Sequence, residues 1–293
     1  MLRRTLCFPF AFINEQSKEK IGMKHLLLTI LQTLAARANG IHVVTMRAAC
    51  RILCLALFAI GMLDCVACSS DSHDDDKPVI CPVIQWQPGD TLSAEVLAYG
   101  VDAFFVCTPI PDSIFAAMQG KSFKANCTVP RDSLRYIRCL HTDKDGNSIV
   151  GEMVLNRSIA EQVLGIFRKL YDAKYPIERM LLIDHWDADD EMAMRDNNSS
   201  SFNFRFISHT QTVSKHGKGL AVDINTLYNP YHKFLADGTE VIEPATGAPY
   251  LDRTLDFDYK IEKGDLCYQL FIAAGFKWGG DWTDRKDYQH FEK

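Results

Sequence analysis

The sequence predicts an α+β protein, and three stretches carry that expectation. Residues 133–141 and 148–155 alternate apolar and polar side chains around Asp143-Lys144-Asp145-Gly146-Asn147, the pattern of an antiparallel hairpin with a glycine-bearing turn. Residues 157–171 place Ile159, Val163, Ile166, Phe167 and Leu170 at helical spacing, with Ser158 in position to cap. Residues 264–275 repeat the helical pattern through Leu266, Leu270, Phe271 and Ala274 and stop at Gly275. A chain of 293 residues that is 47% hydrophobic can bury one good core, with room for a small second lobe.

In chain order, the first eighty residues read as an address rather than a fold. Residues 52–63 are apolar and follow Met46, Arg47 and Arg51, which gives the charged and apolar regions of a secretory signal. The run is shorter than the roughly 20 apolar residues of a membrane span. Because Met46 opens a complete leader and residues 1–45 do not, translation is expected to start at Met46. Cys65-Val66-Ala67-Cys68 after the apolar run resembles the lipobox of bacterial lipoproteins, with Cys68 as the lipidated residue and Cys65 as the alternative. That resemblance implies a lipid-anchored protein of the bacterial cell envelope, periplasmic or on the outer-membrane surface. The acidic serine and aspartate run at 69–78 resembles the tether of surface lipoproteins in some Gram-negative bacteria, and it also reads as a solvated linker.

Prolines break residues 79–132 into short pieces, with a short helix expected after Pro111. We expect an N-terminal extension packed on a catalytic domain at 133–293. After Pro176, residues 178–184 read as a strand or a strand-like approach to a long polar loop at 185–201, and residues 202–207 alternate again. Asp237-Gly238 and Thr246-Gly247 mark turns in an excursion over 226–262. Of ten cysteines only Cys81, Cys107, Cys127, Cys139 and Cys267 fall in the globular part, an odd set without CxxC spacing that argues against a cysteine–zinc framework. A Cys107–Cys127 bridge and buried free thiols remain equal alternatives. The net charge of −5 leaves no basic stripe for nucleic acid.

The chemistry concentrates in two places. His216 and Asp223 stand seven apart, and Asp287 precedes His290 by three. Two imidazoles and a carboxylate are the donor set of a catalytic zinc site, which takes three protein ligands. Asp223 falls in the apolar run 220–224, where an unpaired carboxylate is costly and a cation compensates it. Asp287 is then the spare carboxylate for acid–base work, and Arg205 the cation for a substrate carboxylate or an oxyanion. Singly, each residue has a plainer structural reading; their conjunction points to a site.

Ser214-x-His216-x-x-Gly219-x-Ala221-x-Asp223, together with Gly275-Phe-x-Trp278-Gly-Gly-Asp-Trp282 and Asp287-x-x-His290-Phe-Glu292, resembles the M15 metallopeptidases. These are the D-alanyl-D-alanine carboxypeptidase and VanY-like group with its L-alanyl-D-glutamate endopeptidase branch. The resemblance spans residues 133–293. It implies one zinc ion on His216, Asp223 and His290, Asp287 as catalytic acid and base, and Arg205 and Ser214 as substrate contacts. It also implies a hedgehog/DD-peptidase-like fold, an antiparallel sheet with a few packed helices, and peptidoglycan stem peptides as substrate. The alternatives are a non-catalytic wall-binding lipoprotein that keeps the fold, and a structural surface protein with merely packed histidines.

Overall fold

Alternation of side chains along residues 134–156 produces the longest strands of the computed structural model, which describes residues 86–207 and 210–293. The leader, Met46, Cys65, Cys68 and the acidic tether lie outside the described residues. By its contacts the chain divides after Lys77, and every described residue belongs to the second unit.

Strands β3 (Leu134–Thr142) and β4 (Ser148–Asn156) pair in antiparallel register along their whole length. Their turn is held by Asp143, whose Oδ1 accepts from the Asp145 and Asn147 amides at 3.0 and 2.9 Å. Two short strands, β1 (Thr91–Leu92) and β2 (Val106–Thr108), complete a four-stranded antiparallel sheet in the order β1-β4-β3-β2. The segment expected as an extension thus contributes both edges of this sheet, and a boundary at residue 132 passes through it. Helix α1 (Ala94–Leu97) and the expected helix after Pro111, α2 (Asp112–Met118), belong to the same segment.

Period two in the strands and period 3.6 in the helix meet in the core. Ile137, Cys139, Met153 and Leu155 face α3 (Ala160–Asp172), which buries Val163, Ile166, Phe167 and Leu170 against them. Ser158 is not its cap: Asn156 Oδ1 accepts from both the Ser158 amide and hydroxyl, which diverts that side chain from the helix end. Helix α5 (Leu266–Ala273) starts at Asp265, which accepts from the Tyr268 amide at 2.7 Å, and Gly275 follows its end at a φ of 84°. Cys267 and Phe271 from α5 join the same core.

A second sheet, β5 (Ala221–Asp223), β10 (His290–Glu292) and β8 (Lys277–Trp278) in the order β5-β10-β8, buries Val222, Trp278 and Phe291 in that core. Phe291 stacks on Phe271 at 4.4 Å. A third sheet in the order β7-β6-β9 joins a hairpin from the excursion, β6 (Tyr231–Phe234) and β7 (Glu240–Glu243), to β9 (Lys286–Asp287). Mixed helices and antiparallel sheets are compatible with the α+β expectation.

Three expected segments differ. Residues 178–184 form no strand: the chain makes one isolated bridge from Arg179 to Asn198 and then a 3-10 turn, Ile183–Trp186. The polar loop contains helix α4 (Asp190–Arg195), capped by Asp189 through the Met192 amide. Residues 202–207 run extended with one bridge, Phe206 to Val213. Phe202, Asn203 and Phe204 are all buried there, which cancels the two-faced alternation. Cys107, Cys127, Cys139 and Cys267 are free thiols.

Candidate metal centre

Backbone requirements set the first ligand. The turn His216–Lys218 ends at Gly219, whose φ of 66° is left-handed. A Cβ there would lie 2.7 Å from the Asn156 amide nitrogen, and a Cβ on Gly217 would lie 2.7 Å from the Arg205 carbonyl. Ser214 caps this turn, its Oγ accepting from the Gly217 amide at 2.9 Å. The His216 ring is buried and its Nδ1 donates to the Ser201 carbonyl at 2.8 Å, which leaves Nε2 facing inward.

Register sets the other two. Asp223 and His290 are directly paired residues of β5 and β10. On the far side, Asp223 exchanges backbone hydrogen bonds with Ser200 at 3.0 and 2.9 Å, so the end of the polar loop acts as a further clamp on the ligand strand. His290 Nδ1 lies 2.9 Å from Asp223 Oδ1 and 3.0 Å from His216 Nε2, while His216 Nε2 lies 3.1 Å from Asp223 Oδ2. One ligand atom from each of His216, Asp223 and His290 falls within 4.8 Å of the others. The outer nitrogen of His290, Nε2, faces Glu292 at 3.4 Å. Both imidazoles thus have their outward nitrogens engaged and their inward nitrogens converging with a carboxylate. That two-imidazole, one-carboxylate donor set with outer-shell partners fits zinc.

Electrostatics agree with a cation at this point. Burial alone pushes the Asp223 carboxyl up, yet the two imidazoles reverse this and hold it far below the usual carboxylate range. Burial alone would lower His290, but hydrogen bonds to Asp223 and Glu292 outweigh it and lift the imidazole to about 10. At neutral pH this group carries a proton among the three donors, and a divalent cation must displace it. Metal binding at neutral pH is therefore expected to release about one proton per ion, and affinity to fall about tenfold for each pH unit below about 10. Calorimetry in buffers of different ionisation enthalpy measures both.

Asp287 comes from the third sheet, on β9, where it pairs with Tyr231 of β6. Its approach depends on Gly279, where a Cβ would sit 2.5 Å from the Asp287 carbonyl oxygen and 2.7 Å from its Cβ. Gly280 similarly makes room for the Trp278 ring, whose indole nitrogen donates to the Tyr288 carbonyl at 2.8 Å. Gly279→Ala is expected to cost about 1–3 kcal/mol in urea unfolding and to impair any reaction that uses Asp287. The Asp287 Oδ1 is buried with no hydrogen-bond partner among the described residues. Burial pushes its carboxyl up to about 7, with Asp223 and Glu243 adding to the rise and His290 and Gln289 opposing it.

All six residues singled out in the sequence, His216, Asp223, His290, Asp287, Arg205 and Ser214, line one cavity of about 630 Å³. Arg205 is half-buried and fixed by Asp190, with Nη1 2.8 Å from Oδ1 and 2.7 Å from Oδ2. Sequence reasoning missed Ser201, Asp190, Tyr231 and Glu243, and gave no role to Glu292 or Trp282 although both stand in the quoted motifs. Glu292 was within reach, since it lies two residues from His290 on the same strand face. Trp282 sits 5.5 Å from the His290 ring, and Arg285 lies 4.1 Å over the Trp282 ring.

No curated protein and no solved structure matches the chain. The model of the D-alanyl-D-alanine carboxypeptidase family matches residues 208–293, a shorter span than the expected 133–293. Of the six residues singled out in the sequence, it takes in all but Arg205. The segment that carries His216, Asp223, Asp287 and His290 is thus similar to peptidases of family M15, which supports a hydrolase.

Proposed function

We propose that the chain is a zinc-dependent peptidase that hydrolyses peptide bonds in peptidoglycan stem peptides. Its reaction is of the D,D-carboxypeptidase or L-Ala-D-Glu endopeptidase type, as in the VanY-like group. The observation that carries this reading is the convergence of His216, Asp223 and His290 beside a buried carboxylate oxygen, Oδ1 of Asp287, with no hydrogen-bond partner among the described residues. The similarity of residues 208–293 to D-alanyl-D-alanine carboxypeptidases supports it.

His216 Nε2, His290 Nδ1 and an Asp223 oxygen would hold the ion. Zinc held there supplies Lewis acidity, polarising a carbonyl and acidifying water. Asp287 accepts the proton of the attacking water and returns it to the leaving amine, a role suited to a carboxyl near neutrality. Arg205, kept in orientation by Asp190, offers its remaining donors to a substrate carboxylate or to the developing oxyanion. Ser214 positions His216 through its cap and borders the same cavity.

The leader read from the sequence supports a lipid anchor at Cys68, or at Cys65, which would hold the enzyme at the bacterial cell envelope beside this substrate. Mass spectrometry of products from a defined pentapeptide stem and a tripeptide stem tests the reading. Loss of a terminal D-alanine identifies the carboxypeptidase, and release of L-alanine from D-glutamate the endopeptidase. Intact peptides after incubation with the zinc-loaded protein would count against both.

A further inference from the structure

One wall of the cavity includes residues of the β7-β6-β9 sheet. In its register Tyr231 is paired with Glu243 on one side and with Asp287 on the other. Cross-strand partners project to the same face. Glu243, Tyr231 and Asp287 therefore form one row, and all three line the cavity. Strands lie about 4.8 Å apart, which puts Glu243 roughly 10 Å from Asp287 along that row.

The charges around the row are already engaged, with one exception. Asp190 holds Arg205 and the Asn203 amide. Glu191 accepts from Arg195 and from the Ala245 amide. Asp223 and Glu292 hold the two imidazoles. Among the cations, Lys215 donates to the Lys293 carbonyl, and Arg285 pairs with Asp284 while stacked on Trp282. Glu243 alone among these acidic wall residues outside the proposed catalytic base has a side chain with no hydrogen bond or ion pair to a described residue. Arg205 is near enough to favour its ionised form, yet that guanidinium is fixed on Asp190. Desolvation and two neighbouring acids, Glu191 and Asp190, raise its pKa, so the wall presents a negative potential that the protein leaves uncompensated.

We infer that Glu243, with Tyr231 beside it, selects substrates that carry a primary amine close to the bond that is cut. This rests on the peptidase reading above and names the substrate class for it. A spacing of roughly 10 Å from the base suits an ammonium at the end of a diamino-acid side chain adjacent to the cleaved bond. It also suits a free amino terminus about three extended residues away. The chemistry is the same in both cases: an ammonium donates to the Glu243 carboxylate, which is exposed in the free protein and is covered when substrate fills the cavity, with Tyr231 beside it in the row to offer a cation–π surface.

The test uses three peptides of one sequence: both amines free, only the side-chain amine acetylated, and only the amino terminus acetylated. Values of kcat/KM are measured with the zinc-loaded wild type and with Glu243→Gln. Acetylating the recognised amine is expected to lower wild-type kcat/KM by about 10- to 100-fold, the range of a hydrogen bond to a charged group. Whichever acetylation has this effect identifies the source of the amine. In Glu243→Gln the ratio between free and acetylated peptides is expected to fall to within about threefold. A ratio is read because a general loss of folded enzyme leaves it unchanged. Equal rates for all three peptides with wild type, or an unaltered ratio in Glu243→Gln, would overturn the inference. If no peptide is cut, the peptidase reading falls. Equilibrium binding of the same three peptides to wild type and Glu243→Gln then decides the inference separately: an amine preference lost in the variant upholds it, and equal affinities overturn it.

Discussion

Asp287→Asn is expected to lower kcat/KM by about 10²- to 10⁴-fold, the usual contribution of a positioned general base, while zinc content stays unchanged. The same substitution is expected to stabilise the protein. Asp287 Oδ1 is buried without a hydrogen-bond partner among the described residues, and burial pushes its carboxyl up to about 7, well above an ordinary carboxylate. A carboxyl raised in the folded state opposes folding once it must ionise. That cost is fully present above pH 7 and fades as pH falls from about 7 towards 4. In chelator-treated protein at pH 8, Asp287→Asn should therefore gain on the order of 1–3 kcal/mol over wild type, and at pH 4 the gain should vanish. Urea unfolding at the two pH values measures this. A stable, inactive, zinc-replete variant is the signature of a group kept for chemistry at the expense of stability. An active variant would remove Asp287 from the reaction.

Asp223→Ala acts in the opposite direction on stability and removes the metal as well. Asp223 bridges both imidazoles, its oxygens 3.1 Å from His216 Nε2 and 2.9 Å from His290 Nδ1. Its removal strands a buried imidazolium whose pKa it had raised. A pair broken in that way costs about 3–5 kcal/mol. Stability from His290 is present below its unfolded pKa and is lost as pH rises through about 10, so the penalty of Asp223→Ala is greatest in acid and smallest at high pH. Bound zinc is expected to fall below about a tenth of the wild-type content, with hydrolysis lost in proportion. Elemental analysis and thermal unfolding of the purified variant check the two effects.

Much of the site could be read from the chain because its geometry is local. His216, Gly217 and Gly219 make one turn, and the register of two short strands sets Asp223 against His290. The hairpin at 134–156 and helix α3 were legible for the same reason, since each follows its own hydrophobic period. Residues 178–184 and 202–207 form isolated bridges instead of ladder strands, because consecutive residues such as Phe202, Asn203 and Phe204 are buried together rather than on one face. The edges β1 and β2 were illegible: two and three residues carry no period, and their pairing with β4 and β3 is tertiary. Glu243 and Tyr231 escaped notice because only the pairing of β6 with both β7 and β9 brings them beside Asp287, across 44 and 56 positions of sequence respectively. Ser201 contributes a carbonyl rather than a side chain, so no residue type announces it.

The most direct test of a catalytic zinc centre is to measure bound metal and stem-peptide hydrolysis on one preparation, before chelation, after chelation, and after zinc is restored. The expected result is one zinc ion per chain, hydrolysis abolished with its removal, and recovery in proportion to the zinc returned. Full hydrolysis by metal-free protein, or one tightly bound ion with no cleavage of any stem peptide, would contradict a zinc peptidase built on His216, Asp223 and His290.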